Sequence, residues 1–294
     1  MDRYLTTPEG KRLRTAVFDA ANPRGVCVVA HGQTEFIEKY EEVIGELNAR
    51  GFTVATFDWP GQGYSGRLLD NPLKAHIGDF RQYDSALALF LDEVVKPIAS
   101  SPPIALGHSM GGHNLLRMMH DRPNTFAKAV LTAPMLRAGT RGAPRWIALT
   151  ALWLQNALGN GDEWIWGMDK RDPAKMDFSA QLVTSDRARF ERTRTFIQAH
   201  PDIRLAGPTW HWLAAANASM AEVTAPGYPE AIVTPTLIVG AGKDRIVETA
   251  AARAYAPRLA HGQYLEFADA EHEILMENDD IRSRFWAAFD AFVG

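Results

Sequence analysis

Six short apolar runs, each followed by a turn or by the start of a helix, restrict the fold of this chain more than any other feature. They are bounded by Gly and Pro and cover residues 26–30, 52–57, 103–106, 129–131, 236–239 and 264–267. Runs of this length are typical of strands that are buried on both faces of a parallel sheet. We therefore expect a sheet in the centre of the molecule.

Helical patterns lie between the predicted strands. Within residues 80–95 the apolar side chains of Tyr83, Leu87 and Phe90 recur at helical spacing, and residues 39–50 are amphipathic in the same way. Such an alternation of strands and helices predicts an α/β fold with right-handed crossover connections.

The N-terminal residues predict two further strands. Residues 4–7 and 12–18 are joined by Pro8-Glu9-Gly10 and are typical of a hairpin, which we place at the edge of the sheet. The fold class expected from these patterns is a mostly parallel, eight-stranded sheet flanked by helices.

The segment from residue 136 to residue 226 interrupts the alternation. It contains no strand-like run, and it holds six of the eight Trp residues, which are Trp146, Trp153, Trp164, Trp166, Trp210 and Trp212. We predict a helical cap, inserted between two strands of a core formed by residues 1–135 and 227–294. The Trp side chains have two interpretations: they form the core of the cap, or some of them face an apolar ligand beneath a lid.

The charge balance and the single cysteine exclude several classes of function. The chain has 31 Lys and Arg against 35 Asp and Glu, which gives no electrostatic footprint for a nucleic-acid partner. Cys27 cannot form an internal disulfide, and no CxxC pair exists to hold zinc. The polar start lacks the apolar region of a signal peptide, and no apolar run reaches the ~18 residues of a membrane span. These features predict a soluble, cytoplasmic protein and leave its oligomeric state open.

The motif Gly107-His108-Ser109-Met110-Gly111 indicates a nucleophilic serine. It follows a predicted strand and precedes a helical stretch, so it fits the sharp turn that exposes a serine hydroxyl at the end of a strand. The flanking glycines let neighbouring backbones approach this turn closely. A tight turn with an incidental serine is the alternative interpretation.

A serine hydroxyl needs a base, and the base needs an acid that orients it. His272 follows the last predicted strand and Asp244 follows the preceding one, in the order Ser, acid, His that suits this motif. Asp58 is the rival acid, but it precedes Ser109 and is better explained as fixing its own Pro-Gly turn. His108 is expected to point away from the serine hydroxyl.

Acyl transfer also requires hydrogen-bond donors for the oxyanion. The backbone N–H of Met110 supplies one donor, and the loop His31-Gly32-Gln33 after an earlier strand is expected to supply a second from Gln33. This chemistry implies neither a metal nor a cofactor.

These residues carry a resemblance to a known family. Residues 31–40, 58–67, 107–112 and 240–244, together with His272, resemble the α/β-hydrolases of the monoacylglycerol lipase and bacterial lysophospholipase L2 group, also classed as serine aminopeptidase S33. The resemblance implies an α/β-hydrolase fold and a serine ester hydrolase. It also implies a small-molecule, lipid-like ester as substrate, cleaved through an acyl-enzyme, with transient contact to a membrane surface.

Other functions remain open at this point. A short-chain carboxylesterase is expected if the Trp residues only pack the cap. An amidase or iminopeptidase would need an acidic cluster for an amino terminus, for which Asp162, Glu163 and Glu222 are candidates. A non-catalytic member of the fold would have lost one of the three triad residues, and all three are present.

Overall fold

An eight-stranded sheet forms the centre of the protein. In a computed structural model, which describes residues 2–140, 142–169 and 171–294, the strands follow the order β1-β2-β4-β3-β6-β7-β9-β10, and a separate two-stranded sheet is formed by β5 and β8. The strands are β1 Asp2–Thr6, β2 Arg12–Phe18, β3 Gly25–Ala30, β4 Phe52–Phe57, β5 Lys74–Ala75, β6 Ile104–His108, β7 Lys128–Thr132, β8 Gly207–Pro208, β9 Thr236–Ala241 and β10 Gly262–Phe267.

The sheet is parallel from β4 to β10 and antiparallel only where β2 pairs with β1 and β4. Each of the six predicted runs coincides with one of these strands, to within a few residues at the ends. The predicted N-terminal hairpin is β1 and β2, at the edge of the sheet. The predicted fold class is therefore confirmed.

Helices cover both faces of the sheet. They are α1 Glu41–Ala49, α2 Arg81–Phe90, α3 Met110–Asp121, α4 Arg145–Ala157, α5 Arg187–Ala199, α6 Trp210–Thr224, α7 Thr249–Tyr255 and α8 Asp279–Val293. A π-helical turn, Leu91–Val95, continues α2. Short 3₁₀ turns are Ile37–Tyr40, Phe178–Ala180, Pro201–Ile203, Pro229–Ala231, Ala256–Arg258 and Ile274–Met276. Among the described residues, none of these helices has the length and apolar character needed to cross a membrane.

Strand β3 shows how the sheet is buried on both faces. Val26, Val28 and Ala30 pack into one hydrophobic cluster, while Cys27 and Val29 pack into another. This alternation follows from the pleat of a strand, which points successive side chains to opposite faces. Cys27 is fully buried, and burial raises the pKa of its thiol.

The inserted segment, residues 136–226, lies between β7 and β9 and contains α4, α5 and α6. It also contains a strand, although no strand was expected here: β8 pairs in parallel with β5. The sequence gives no signal for β8, because its two residues are Gly207 and Pro208. Arg141 and Lys170 of the predicted cap, and Met1 of the predicted core, lie outside the described residues. The division into a core and a cap stays a prediction.

The four Trp residues on α4 and α6 of this segment form two groups. Trp210 and Trp212 of α6 are buried, and Trp212 joins the main core and donates a hydrogen bond from Nε1 to the Tyr83 hydroxyl at 3.1 Å. Trp146 and Trp153 of α4 are 70% and 69% exposed. The expectation of a Trp-built cap core is therefore wrong for α4, whose Trp side chains face outward.

Candidate active site

Ser109 lies on a strained turn between β6 and α3. Its φ angle is +50°, a value that a residue with a side chain rarely adopts. The turn is possible only because its neighbours are glycines. A Cβ at Gly111 would lie 2.0 Å from the carbonyl oxygen of Ala30, and a Cβ at Gly107 would lie 2.8 Å from the Cα of Gly112. The sequence therefore places the serine at the edge of the sheet, against the end of β3.

The structure brings Ser109, His272 and Asp244 together. Ser109 Oγ lies 3.0 Å from His272 Nε2, and His272 Nδ1 lies 2.6 Å from Asp244 Oδ2. The three residues follow β6, β10 and β9, which are parallel and therefore end at the same edge of the sheet. The second carboxylate oxygen of Asp244 accepts hydrogen bonds from the backbone N–H groups of Ile246 and Val247, at 2.7 and 2.9 Å.

Opposing effects set the protonation of this pair. Burial alone would raise the pKa of Asp244, but His272 and the two backbone donors hold that pKa below its ordinary value. Burial alone would lower the pKa of His272, but the carboxylate of Asp244 raises it above the ordinary value. The carboxylate is therefore ionised and accepts from Nδ1–H, which leaves Nε2 to accept the hydroxyl proton of Ser109.

His108 stands beside the pair without adding a charge. Its Nδ1 lies 3.1 Å from Thr132 Oγ1, and its ring centre lies 4.8 Å from that of His272. Burial lowers the pKa of His108 to about 3, so the ring is neutral. That the His108 side chain points away from the hydroxyl of Ser109 stays a prediction.

The loop 31–34 follows β3 and lies against the turn of Ser109. The backbone N–H of Thr34 donates to Gln62 Oε1 at 2.6 Å, and Gln62 Nε2 lies 3.8 Å from Met110 Sδ. Gln62 therefore contacts both Thr34, the residue after the predicted oxyanion donor Gln33, and Met110, the other predicted donor. The N–H of Met110 is in the first turn of α3, where a helix offers it no acceptor.

His31 and Gly32 form the base of this loop. The carbonyl oxygen of His31 accepts a hydrogen bond from Trp59 Nε1 at 2.8 Å, and His31 Nε2 lies 3.5 Å from Asp58 Oδ1. The N–H of Gly32 donates to the carboxylate of Glu35. A Cβ at Gly32 would approach His108 to 3.0 Å, so the loop can lie this close to the Ser109 turn only with glycine here.

A buried charge cluster, Glu35–Lys39–Glu273, joins this loop to the turn of His272. Lys39 Nζ lies 2.7 Å from Glu35 and 2.6 Å from Glu273, and Tyr40 donates its hydroxyl to Glu35 at 2.8 Å. Burial alone would raise the pKa of Glu35, but Lys39 holds that pKa well below its ordinary range. Sequence reasoning assigned no role to Lys39, Glu273 or Gln62. The only signal for Lys39 and Gln62 was that residues 31–40 and 58–67 carry the family resemblance, and Glu273 lies outside both stretches.

The rival acid, Asp58, is occupied elsewhere. It is fully buried and accepts hydrogen bonds from the backbone of Ile37 and Tyr64, at 3.0 and 2.8 Å, while Arg14 Nη1 lies 3.2 Å away. A Cβ at Gly63 would collide with its carboxylate. Asp58 thus holds the turn that follows β4.

The three carboxylates weighed for an amidase are paired with different bases. Glu163 lies 2.9 Å from Lys74 and Glu222 lies 2.6 Å from Arg117, while Asp162 lies 3.8 Å from His76. They form no common cluster that could bind an amino terminus.

A mostly parallel eight-stranded sheet, with a serine on a strained strand-to-helix turn and a histidine within hydrogen-bond reach, defines an α/β-hydrolase. The chain belongs to the serine aminopeptidase S33 family of these hydrolases, whose sequence model matches residues 21–279. The protein is therefore a hydrolase.

Two characterised relatives cover most of the chain. Lysophospholipase L2 of Escherichia coli K12 is 32% identical over a match of 279 residues, which covers 92% of this chain and 81% of that protein. A monoacylglycerol lipase of Mycolicibacterium smegmatis is 25% identical over 272 residues, covering 89% of this chain and 88% of that protein.

Solved structures share the fold. The crystal structure of a monoacylglycerol lipase from Paleococcus ferrophilus superimposes with a TM-score of 0.73 at 22% identity, over 96% of this chain and 98% of that one. At this level of identity the likeness concerns the fold alone.

Proposed function

We propose that the protein hydrolyses the carboxylic ester of single-chain lipids, either lysophospholipids or monoacylglycerols, through an acyl-enzyme. The observation that carries this proposal is the hydrogen-bonded series Ser109–His272–Asp244, with distances of 3.0 and 2.6 Å. A nucleophile, a base and an orienting acid in this arrangement are suited to acyl transfer.

In the first step, Ser109 Oγ attacks the ester carbonyl carbon, and its proton passes to His272 Nε2. Asp244 holds the ring in the required tautomer and stabilises the imidazolium. The carbonyl oxygen becomes an oxyanion, which receives hydrogen bonds from the N–H groups of Gln33 and Met110. When the carbon–oxygen bond to the alcohol breaks, His272 returns the proton to the departing oxygen.

In the second step, water takes the place of the alcohol. His272 accepts a proton from that water, whose oxygen attacks the acyl carbon attached to Ser109. Collapse of the second tetrahedral intermediate releases the fatty acid, and His272 returns the proton to Ser109. The same two donors and the same base therefore serve both halves of the reaction.

The names of the relatives and the surface of α4 support a lipid substrate. The relatives are named lysophospholipase L2 and monoacylglycerol lipase. Helix α4 exposes Trp146, Trp153 and Leu154, and exposed apolar side chains of this size are suited to transient contact with a lipid surface. A short-chain carboxylesterase is the second candidate, since Trp146 and Trp153 face outward rather than towards the interior.

Labelling tests the nucleophile. A fluorophosphonate is expected to modify Ser109 alone, and Ser109→Ala is expected to lower kcat by about 10⁵-fold or more with an unchanged melting temperature, because it removes the covalent step and no core volume. Ser85→Ala, which removes an exposed hydroxyl that donates to Arg81, is the control. Labelling of another serine, or substantial activity in the Ser109 variant, would overturn the assignment.

Acyl-chain length tests the substrate. Each CH₂ buried in the transition state contributes up to about 0.8 kcal/mol, so kcat/KM is expected to rise from C2 to medium and long chains and then to level. The measurement uses p-nitrophenyl esters and monoacylglycerols below their critical micelle concentrations. A maximum at C2 to C4 would favour the short-chain carboxylesterase.

A further inference from the structure

We infer that a small cavity beside Gln33 binds the phosphate of a lysophospholipid headgroup, an assignment that rests on the function proposed above. The cavity has a volume of about 80 Å³, and its wall includes Gln33, the guanidinium-bearing Arg171 and Arg204, and the apolar Ile203 and Leu205. It therefore lies between the loop after β3 and the inserted segment.

The position of the cavity suits the headgroup end of the substrate. In a lysophospholipid only the glycerol carbons separate the ester oxygen from the oxygen that carries phosphorus. A phosphate subsite must therefore adjoin the residues that hold the ester. Gln33, whose N–H we propose as an oxyanion donor, is one of the lining residues, and its side-chain Nε2 is buried with no hydrogen-bond partner in the described part of the chain.

The charge of the cavity wall suits an anion. Among the residues that the structure describes, its lining contains two arginines and no carboxylate. Arg204 donates from Nε to the carbonyl oxygen of Pro201 at 3.3 Å, and its Nη1 lies 4.0 Å from Asp172, a long ion pair. Arg171 Nη2 contacts Met176 Sδ at 3.8 Å. Guanidinium groups present donors in a planar fork that matches two phosphate oxygens.

The wall that carries Arg204 is anchored to the rest of the protein. Arg67 donates from Nη2 to the carbonyl oxygen of Asp202 at 2.7 Å, and the N–H of Ala206 donates to Leu73 at 2.9 Å. Strand β8 begins directly after Ala206 in the chain and pairs with β5. A wall held in this way loses little conformational freedom when a ligand binds, which favours affinity.

The volume of the cavity admits a headgroup phosphate and excludes a long acyl chain. A volume of about 80 Å³ holds a few water molecules, so a phosphate fits and a long acyl chain does not. The uncharged glycerol of a monoacylglycerol offers the arginines no anion. The cavity therefore selects lysophospholipids over monoacylglycerols with the same acyl chain.

A matched pair of substrates tests the inference. 1-Decanoylglycerol and 1-decanoyl-glycero-3-phosphocholine, both below their critical micelle concentrations, differ only in the phosphocholine group. Arg204→Gln is expected to lower kcat/KM for the phospholipid about tenfold, because a charge-assisted hydrogen bond is lost, and to change that for decanoylglycerol less than about twofold. Arg171→Gln is expected to act in the same direction. Arg187→Gln, an exposed arginine of α5 outside the cavity, is the control, and fluorophosphonate titration of Ser109 counts the folded sites in every variant.

The outcomes separate the inference from the proposed function. Equal losses on both substrates in Arg204→Gln, or no loss on a phospholipid that the wild type hydrolyses, would overturn the phosphate subsite and leave the lipid esterase standing. Hydrolysis of decanoylglycerol alone by the wild type would do the same. Hydrolysis of neither substrate would overturn the proposed function itself. Inhibition of p-nitrophenyl ester hydrolysis by inorganic phosphate, with the substrate pair unaffected by the variants, would assign the cavity to a free anion.

Discussion

The carboxyl ends of the parallel strands and helix α4 of the inserted segment differ in which side chains they bury and which they expose. At the strand ends, charged and polar side chains such as Asp244 and Lys39 are buried and have close partners. On α4, large apolar side chains such as Trp153 lie in solvent. Burial of charge costs free energy unless partners compensate it, and exposed apolar area forgoes a stabilising gain. Both regions therefore depart from what stability alone favours.

The first prediction concerns the two carboxylates at strand ends. Asp244→Asn is expected to lower kcat by about 10⁴-fold with a small change in stability, because the amide favours the wrong tautomer of His272. Asp58→Asn is expected to lower the free energy of unfolding by about 3 kcal/mol, because it leaves Arg14 beside an uncharged, buried partner. The measurements are kcat and urea unfolding of both variants.

Equal losses of kcat in these two variants, with both folded, would leave the choice of acid unsupported. Asp244 and Asp58 would then contribute equally to catalysis, and the distinction between a catalytic and a structural carboxylate would be lost.

The second prediction concerns the two groups of Trp residues in the inserted segment. Trp212→Ala is expected to cost about 3–5 kcal/mol of stability, because it leaves a cavity in the main core and removes the hydrogen bond to Tyr83. Trp153→Ala is expected to change stability by less than about 0.5 kcal/mol, because that side chain is 69% exposed. Urea unfolding of the two variants measures the difference. Similar losses would show that α4 packs against the rest of the protein more than its exposure indicates.

The third and smallest effect concerns Glu273, which follows His272 directly in the chain and affects its pKa. The pKa of His272 lies above its ordinary value, against the effect of burial, because Asp244, Glu273 and Glu35 carry negative charge nearby. Only the neutral ring accepts the proton of Ser109, so kcat/KM falls as pH decreases through this pKa. Glu273→Gln removes one of these charges and leaves Lys39 in place. The midpoint of the acid limb is therefore expected to move to lower pH, by less than about one unit.

The pH profile of kcat/KM measures this shift. Asp269→Asn, which changes an exposed carboxylate paired with Arg284, is the control and is expected to leave the midpoint in place. A shift to higher pH in Glu273→Gln would contradict the electrostatic account of the cluster.

Much of this architecture could be predicted from the sequence, because parallel strands are short, apolar and bounded by turns. The same logic placed Ser109, Asp244 and His272 at a common edge, since the carboxyl ends of parallel strands meet there. The cluster of Glu35, Lys39 and Glu273 could not be predicted in this way. Its members lie up to 238 positions apart in the chain, and only the tertiary fold brings them together.

The inserted segment was less predictable for two physical reasons. Its Trp content suggested burial, but Trp146 and Trp153 lie on the solvent side of α4, and composition does not report the orientation of a helix. Strand β8 consists of Gly207 and Pro208, residues that are depleted in strands. Its pairing with β5 depends on contacts far along the chain.

The burial of Cys27 in β3 has a practical consequence for following the inserted segment in solution. This thiol is the only one in the chain and is fully buried, and its raised pKa keeps it protonated and unreactive towards alkylating reagents. A cysteine introduced at the exposed position directly after α4, as in Leu158→Cys, would therefore be the only thiol to take up a maleimide dye or a spin label. The native cysteine therefore does not have to be replaced before fluorescence or electron paramagnetic resonance labels are attached.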